Sequence, residues 1–148
     1  MGNIGAEAIL LAVIHFYQEH WGPETRFILA AWHPDRVRFL VDRLPGRFDV
    51  VKQTVPLDKP GLLRQSDAFV VGGDVVLTET VIPLLPSYWT FRALWARLLG
   101  NRVTFMGIEV ETLRLAVNRG AVRLVLDRVT QHYLVRNEEA RDHLLRLS

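Results

Sequence analysis

The 148-residue chain is 49% hydrophobic and has no cysteine, so it has room for one buried core but not for a second full catalytic domain. It offers no disulfides, thiol nucleophiles or cysteine-ligated zinc. Charged residues make up 23% and leave a formal charge of only +2, a balance too even to point to nucleic acid despite a pI near 9.4. The longest apolar stretches, such as Ala8 to Ile14, fall well short of the ~20 residues of a membrane span. Glu7 stands where a secretory signal would be basic, and no Lys or Arg precedes Arg26, so a cytoplasmic protein is expected.

Ile9, Leu10, Val13, Ile14 and Tyr17 recur at helical spacing up to the stop at Trp21-Gly22-Pro23, so a helix starts almost at the first residue. The run Phe27 to Ala31 suits a strand buried on both faces, and Pro34 opens a helix with Val37, Leu40, Val41 and Leu44 on one side. Phe48 to Val51 reads as the next strand. An irregular stretch with Pro56 and Pro60 follows, with one short helical turn through Leu62 and Leu63. Ala68 to Val71 is a strand that ends at Gly72-Gly73. After a loop, Tyr88, Phe91, Leu94, Trp95 and Leu98 form a helical stripe closed by Gly100. Val103 to Met106 is a strand, about Thr112 to Val129 a helix, and His132 to Val135 a last strand. A final helix follows from Asn137, a suitable N-cap, with Glu138 and Glu139 in its first turn. This alternation predicts one α/β domain over residues 1–148: a Rossmann-like three-layer sandwich with a mainly parallel sheet.

The residues themselves offer few sites. Gly2 to Gly5 lead into a helix N-terminus, where free N–H groups favour an anion; a plain helix start is the ordinary alternative. Gly72 and Gly73 close a strand at the end where open α/β sheets bind ligands, or simply make a tight turn. Arg136 follows the last strand and can hold a phosphate or pair with a carboxylate. The five histidines show no metal-binding spacing, so neither metal nor cofactor is expected. The arginines from Arg92 to Arg123 read as a solvated helix face, and Pro83, Pro86, Tyr88 and Trp89 as core packing rather than a sugar-stacking platform. No nucleophile elbow or phosphate loop is present.

Four segments resemble the polysaccharide pyruvyl transferase family. Gly2-Asn3-Ile4-Gly5-Ala6-Glu7-Ala8 is similar to its Gly-Asn-Ile-Gly-Asp-Glu-Ala signature, and Asp67 to Gly73 to its strand and glycine turn. Ala96 to Val103 and Val135-Arg136-Asn137-Glu138-Glu139-Ala140 are similar to later segments, so the likeness runs along the whole chain. It implies the N-terminal half of a two-domain, glycosyltransferase-B-like enzyme that moves a pyruvyl group from phosphoenolpyruvate to a sugar of a cell-surface polysaccharide. The ligand, phosphoenolpyruvate or a sugar phosphate, would meet Gly2, Asn3, Gly5, Glu7, Gly72, Gly73, Asp74 and Arg136. The catalytic residues are left unassigned.

The chain also departs from the family. Ala6, Asp74, Asn137 and Ala140 replace an aspartate, a glycine, an aspartate and a serine. The hydrophobic first strand expected before the Gly-Asn-Ile-Gly turn is missing, as is a C-terminal half. An incomplete transferase is therefore expected, joined to a missing half or to another copy in a homo-oligomer that closes the gap. Two other readings fit the same residues: a non-catalytic dimeric interaction module, and half of a sugar-nucleotide glycosyltransferase.

Overall fold

The computed structural model describes residues 4–53, 60–72, 77–80 and 82–147. Its elements are α1 (Ile4–Trp21), β1 (Arg26–Ala31), α2 (Pro34–Val41), β2 (Arg47–Lys52), α3 (Pro60–Arg64), β3 (Ala68–Gly72), α4 (Leu85–Leu98), β4 (Arg102–Ile108), α5 (Ala116–Arg128), β5 (Thr130–Val135) and α6 (Glu138–Leu145). Helices and strands alternate as the sequence predicts, the strand pairings among the described residues are parallel, and the fold is α/β. The chain forms two compact units, one of residues up to Leu10 and from Leu63 onward, the other Leu11–Leu62.

In the smaller unit β1 and β2 form a two-stranded sheet in which Phe27 lies opposite Phe48, their rings stacked at 5.4 Å. Pro34 starts α2 as expected, and Val41 is its buried residue. The sequence suggested burial of β1 on both faces; instead Arg26 and Ala30 are exposed and the rest only half-buried. Among the described residues β1 pairs with β2 alone, so it lacks the second neighbour that shields an interior strand.

The larger unit has the strand order β3-β4-β5. The central strand β4 buries Val103, Phe105 and Ile108 against Ala93 and Ala96 of α4, Val122 and Val125 of α5, and Ala140 of α6. Gly100, at φ +96°, ends α4 as predicted, and buried Asn101 then donates from its side chain to the Leu63 carbonyl at 2.8 Å. Asn137 caps α6, its Oδ1 accepting from the Ala140 N–H at 2.7 Å.

Two expectations for the helices need correction. The α4 stripe of Tyr88, Phe91, Leu94, Trp95 and Leu98 is not the core face, because Pro86, Thr90, Ala93 and Ala96 are buried while Phe91, Trp95 and Leu98 are exposed. Small side chains lie beneath this helix, Trp89 and Leu94 pack partly against the core, and Phe91 and Leu98 stay outside. Helix α5 begins at Ala116 rather than near Thr112, because the residues before it are held by a side chain from another loop, described below.

The end of β4 is shaped by Gly107. The β4–β5 register shifts between Met106 and Ile108, and Gly107 sits at φ +63°, the left-handed conformation glycine adopts readily. A Cβ there would lie 2.8 Å from Cγ2 of Ile9, so α1 packs directly on this bulge. Gly107→Ala is expected to lower stability by about 1–3 kcal/mol in urea unfolding. Ile9→Ala in the same chain should restore only the part due to crowding, and an unchanged midpoint for Gly107→Ala would contradict the bulge geometry.

Candidate functional site

Three parallel strands end side by side, with Gly72 of β3 opposite Met106 of β4, and Ile108 of β4 opposite Val135 of β5. Their carboxyl edge is therefore marked by Gly72, Glu109 and Arg136. Gly5 and Glu7 lie in the first turns of α1, and Ile9 packs on Gly107. At 1.5 Å per residue, Gly5 is about 6 Å along the helix from Ile9, so the start of α1 also lies near this edge. The structure thus places Gly72 and Arg136 on the carboxyl edge of one sheet, with β4 between them, and Gly5 and Glu7 in the helix whose Ile9 packs at Gly107. Gly2, Asn3, Gly73 and Asp74 lie outside the described residues.

Arg136 is held loosely. Its Nη1 lies 3.4 Å from Oε2 of Glu109, with both side chains well exposed, and its backbone N–H donates to the Ile108 carbonyl at 3.2 Å. An exposed pair at this distance contributes little to stability, so an incoming anion can displace it at little cost. The structural ion pair expected as an alternative for Arg136 is present, with Glu109 as a partner the sequence did not single out.

Glu79 is the most heavily bonded carboxylate. Its oxygens accept from the N–H groups of Arg114 at 2.8 Å and Leu115 at 2.9 Å, and from Nδ2 of Asn118 at 2.7 Å. Helix α5 has Leu115 at its N-cap, with no capping side chain of its own, so Glu79 performs that role from the segment after β3. Fully buried Asn118 also donates to the Pro83 carbonyl at 2.6 Å and accepts from Oγ of Ser87 at 2.5 Å. One amide thereby ties the 77–80 segment, the start of α4 and the start of α5 together. Nearby, Thr80 donates to Glu111 at 2.5 Å.

A helix entry with an apolar cap was the sequence signal for an acceptor from elsewhere, and Glu79 supplies it. Gly107 inside an apolar strand was the corresponding signal for the bulge. Arg92 lies over the rings of Trp89, Tyr88 and Phe69 at 5.2, 5.5 and 5.8 Å, which fits packing better than an open stacking platform. Among the described residues no group of His, Asp and Glu could hold a metal ion.

Burial draws the Glu79 pKa upward, but the bonds from Asn118, Leu115 and Arg114 and the charge of Arg119 outweigh it, leaving the carboxyl below its ordinary value of 4.5. A depressed carboxylate contributes stability that is present above its unfolded pKa and lost as pH falls through the folded one. Glu79→Gln should therefore melt at lower temperature than the parent at neutral pH, with the gap narrowing below pH 4.5. A gap that does not change with pH would count against the ionised cap. Asn118→Ala strips partners from Glu79, Ser87 and Pro83 at once and should cost about 2–4 kcal/mol in urea unfolding.

No curated protein and no solved structure matches the chain. The family model for polysaccharide pyruvyl transferase matches residues 3–148, nearly its whole length. With the strand ends, glycines and arginine of the resemblance now placed on an α/β fold, the chain belongs to the polysaccharide pyruvyl transferase family.

Proposed function

We propose that this chain forms one wall of a pyruvyl transferase site and holds phosphoenolpyruvate, or the sugar phosphate that meets it, at the carboxyl edge of β3, β4 and β5. In the family reaction two sugar hydroxyls add to the enol carbon of phosphoenolpyruvate. One hydroxyl proton reaches the methylene, which becomes a methyl group, and the other leaves with the phosphate. The product is a cyclic ketal on a cell-surface polysaccharide, and a cytoplasmic reaction fits the donor. The observation that carries the reading is Arg136: a guanidinium just past the end of a parallel strand, whose partner among the described residues is an exposed carboxylate at 3.4 Å, on the same carboxyl edge as Gly72 with β4 between them.

In this reading Arg136 binds the phosphate or carboxylate of the donor, and Gly72 lets the ligand approach the backbone without a side chain in the way. Gly5 and Glu7 lie in the first turns of α1, while Gly2, Asn3, Gly73 and Asp74, which the resemblance adds to the site, lie outside the described residues. The chain as a whole acts as one Rossmann-like half, and a second half or second copy completes the cleft.

Phosphoenolpyruvate should raise the melting temperature of the full chain. Arg136→Gln should weaken that binding about tenfold or more, the scale of a hydrogen-bonded charge, in calorimetric titration. Glu109→Gln, which releases Arg136 from its partner, should tighten it. Absence of any phosphoenolpyruvate-dependent stabilisation, with the Arg136→Gln chain behaving like the parent, would overturn the donor-site reading.

A further inference from the structure

The free edge of β5 is chemically unlike that of β2. Among the described residues each of these strands pairs on one side only, β2 with β1 and β5 with β4. The outer edge of a sheet offers unpaired N–H and C=O groups to any other strand, and charged side chains are the usual guard against such pairing. Strand β2 carries that guard in Arg47, Asp49 and Lys52, with Arg47 and Lys52 exposed. Strand β5 reads Thr130-Gln131-His132-Tyr133-Leu134-Val135, with no Lys, Arg, Asp, Glu or Pro along its length.

Strand β5 also leaves one face open. Tyr133 and Val135 pack against the core, and the Tyr133 hydroxyl donates to the Leu126 carbonyl, which fixes the inner side of the strand. His132 and Leu134 alternate with them and are exposed, Leu134 by 50%. The remaining edges differ. Strand β3 buries or half-buries Ala68 to Val71 and exposes only Gly72, and β1 exposes only Arg26 and Ala30. Among the described strands, β5 is therefore the one that joins a free backbone edge, an uncharged sequence and a large exposed apolar side chain.

The absence of charge identifies the occupant. A partner of opposite charge has nothing on β5 to recognise, whereas a second copy meets no like charge when its own β5 is laid against the first. Two copies of one edge pair about a twofold axis as antiparallel strands, which brings the exposed His132 and Leu134 of both onto one shared surface. We propose that β5 pairs with β5 of a second copy of this chain, joining two three-stranded sheets into one continuous sheet. The inference is independent of the donor-site reading, since it uses none of Gly72, Glu109 or Arg136.

Light scattering of the full chain tests it first. The parent should have twice the mass of one chain at micromolar concentration. Leu134→Lys, which gives the edge a charge at an exposed position, should stay folded by circular dichroism and weaken the dimer about tenfold or more, because each dimer receives the lysine twice. The chain has no cysteine, so single-cysteine variants locate the contact without background. His132→Cys mixed with Leu134→Cys should be joined into dimers by a short thiol crosslinker, since opposite and diagonal positions of paired strands lie within about 8 Å. Lys52→Cys, on the guarded edge of β2, should not be joined. If Leu134→Lys unfolds, the cysteine variants decide. The proposal fails if the parent is a monomer at every concentration, if folded Leu134→Lys is as dimeric as the parent, or if Lys52→Cys is crosslinked as readily as the β5 variants.

Discussion

A single carboxylate, Glu79, organises the larger unit. A helix leaves up to four backbone N–H groups without partners at its start, and α5 begins behind an apolar Leu115 that can satisfy none of them. Glu79 reaches over from the segment after β3 and takes the N-cap N–H of Leu115, the Arg114 N–H just before it and the side-chain amide of Asn118. Asn118 in turn holds Pro83 and Ser87 at the start of α4. The helices covering the sheet are thus aligned at their N-termini, next to the carboxyl ends of the strands they connect. An unmet donor or acceptor at a site as buried as Asn118 costs more than a surface bond contributes, so this arrangement resists sliding of either helix.

The same carboxylate constrains where a ligand anion can go. The N-terminus of α5 would attract phosphate, but the protein's own Glu79 already fills it and is kept ionised by the bonds it receives. Among the described residues at this edge of the sheet is Arg136, whose exposed pairing with Glu109 an incoming anion can replace at little cost. Gly107 contributes geometry: the bulge bends the end of β4 and admits Ile9, which draws the start of α1 towards the same edge. The chemistry proposed for the chain depends on these two arrangements together, one filling the competing anion site and the other bringing the helix start to the strand ends.

Much of this was legible in the sequence. Pro34, Gly100 and Asn137 mark helix boundaries through local backbone chemistry, and the structure places a helix start, a left-handed helix end and a side-chain cap at those positions. The strands were readable from short apolar runs between helices. What could not be read depends on residues distant in sequence. Glu79 and Asn118 are 39 residues apart, Glu109 and Arg136 are 27 apart, and nothing local to either member announces the other. The late start of α5 has the same origin, because its first turn is capped from outside rather than by Thr112 or a neighbour.

Helix α4 shows why the hydrophobic pattern chose the wrong face. Periodicity detects large apolar side chains, and on α4 these are Tyr88, Phe91, Leu94, Trp95 and Leu98, of which Leu94 packs partly against the core; full burial instead selected Thr90, Ala93 and Ala96, whose size lets the helix lie close to the sheet. Thr90 satisfies its hydroxyl within the helix by donating to the Pro86 carbonyl at 2.9 Å, so it can be buried without an outside partner. A helix with a good small-residue inner face does not need its aromatic face to fold. Leaving Phe91 and Leu98 in water carries a hydrophobic cost of about 1.5–3 kcal/mol for each side chain that could be buried, and the core gains nothing from it. That cost is recovered only if something outside the unit covers the face.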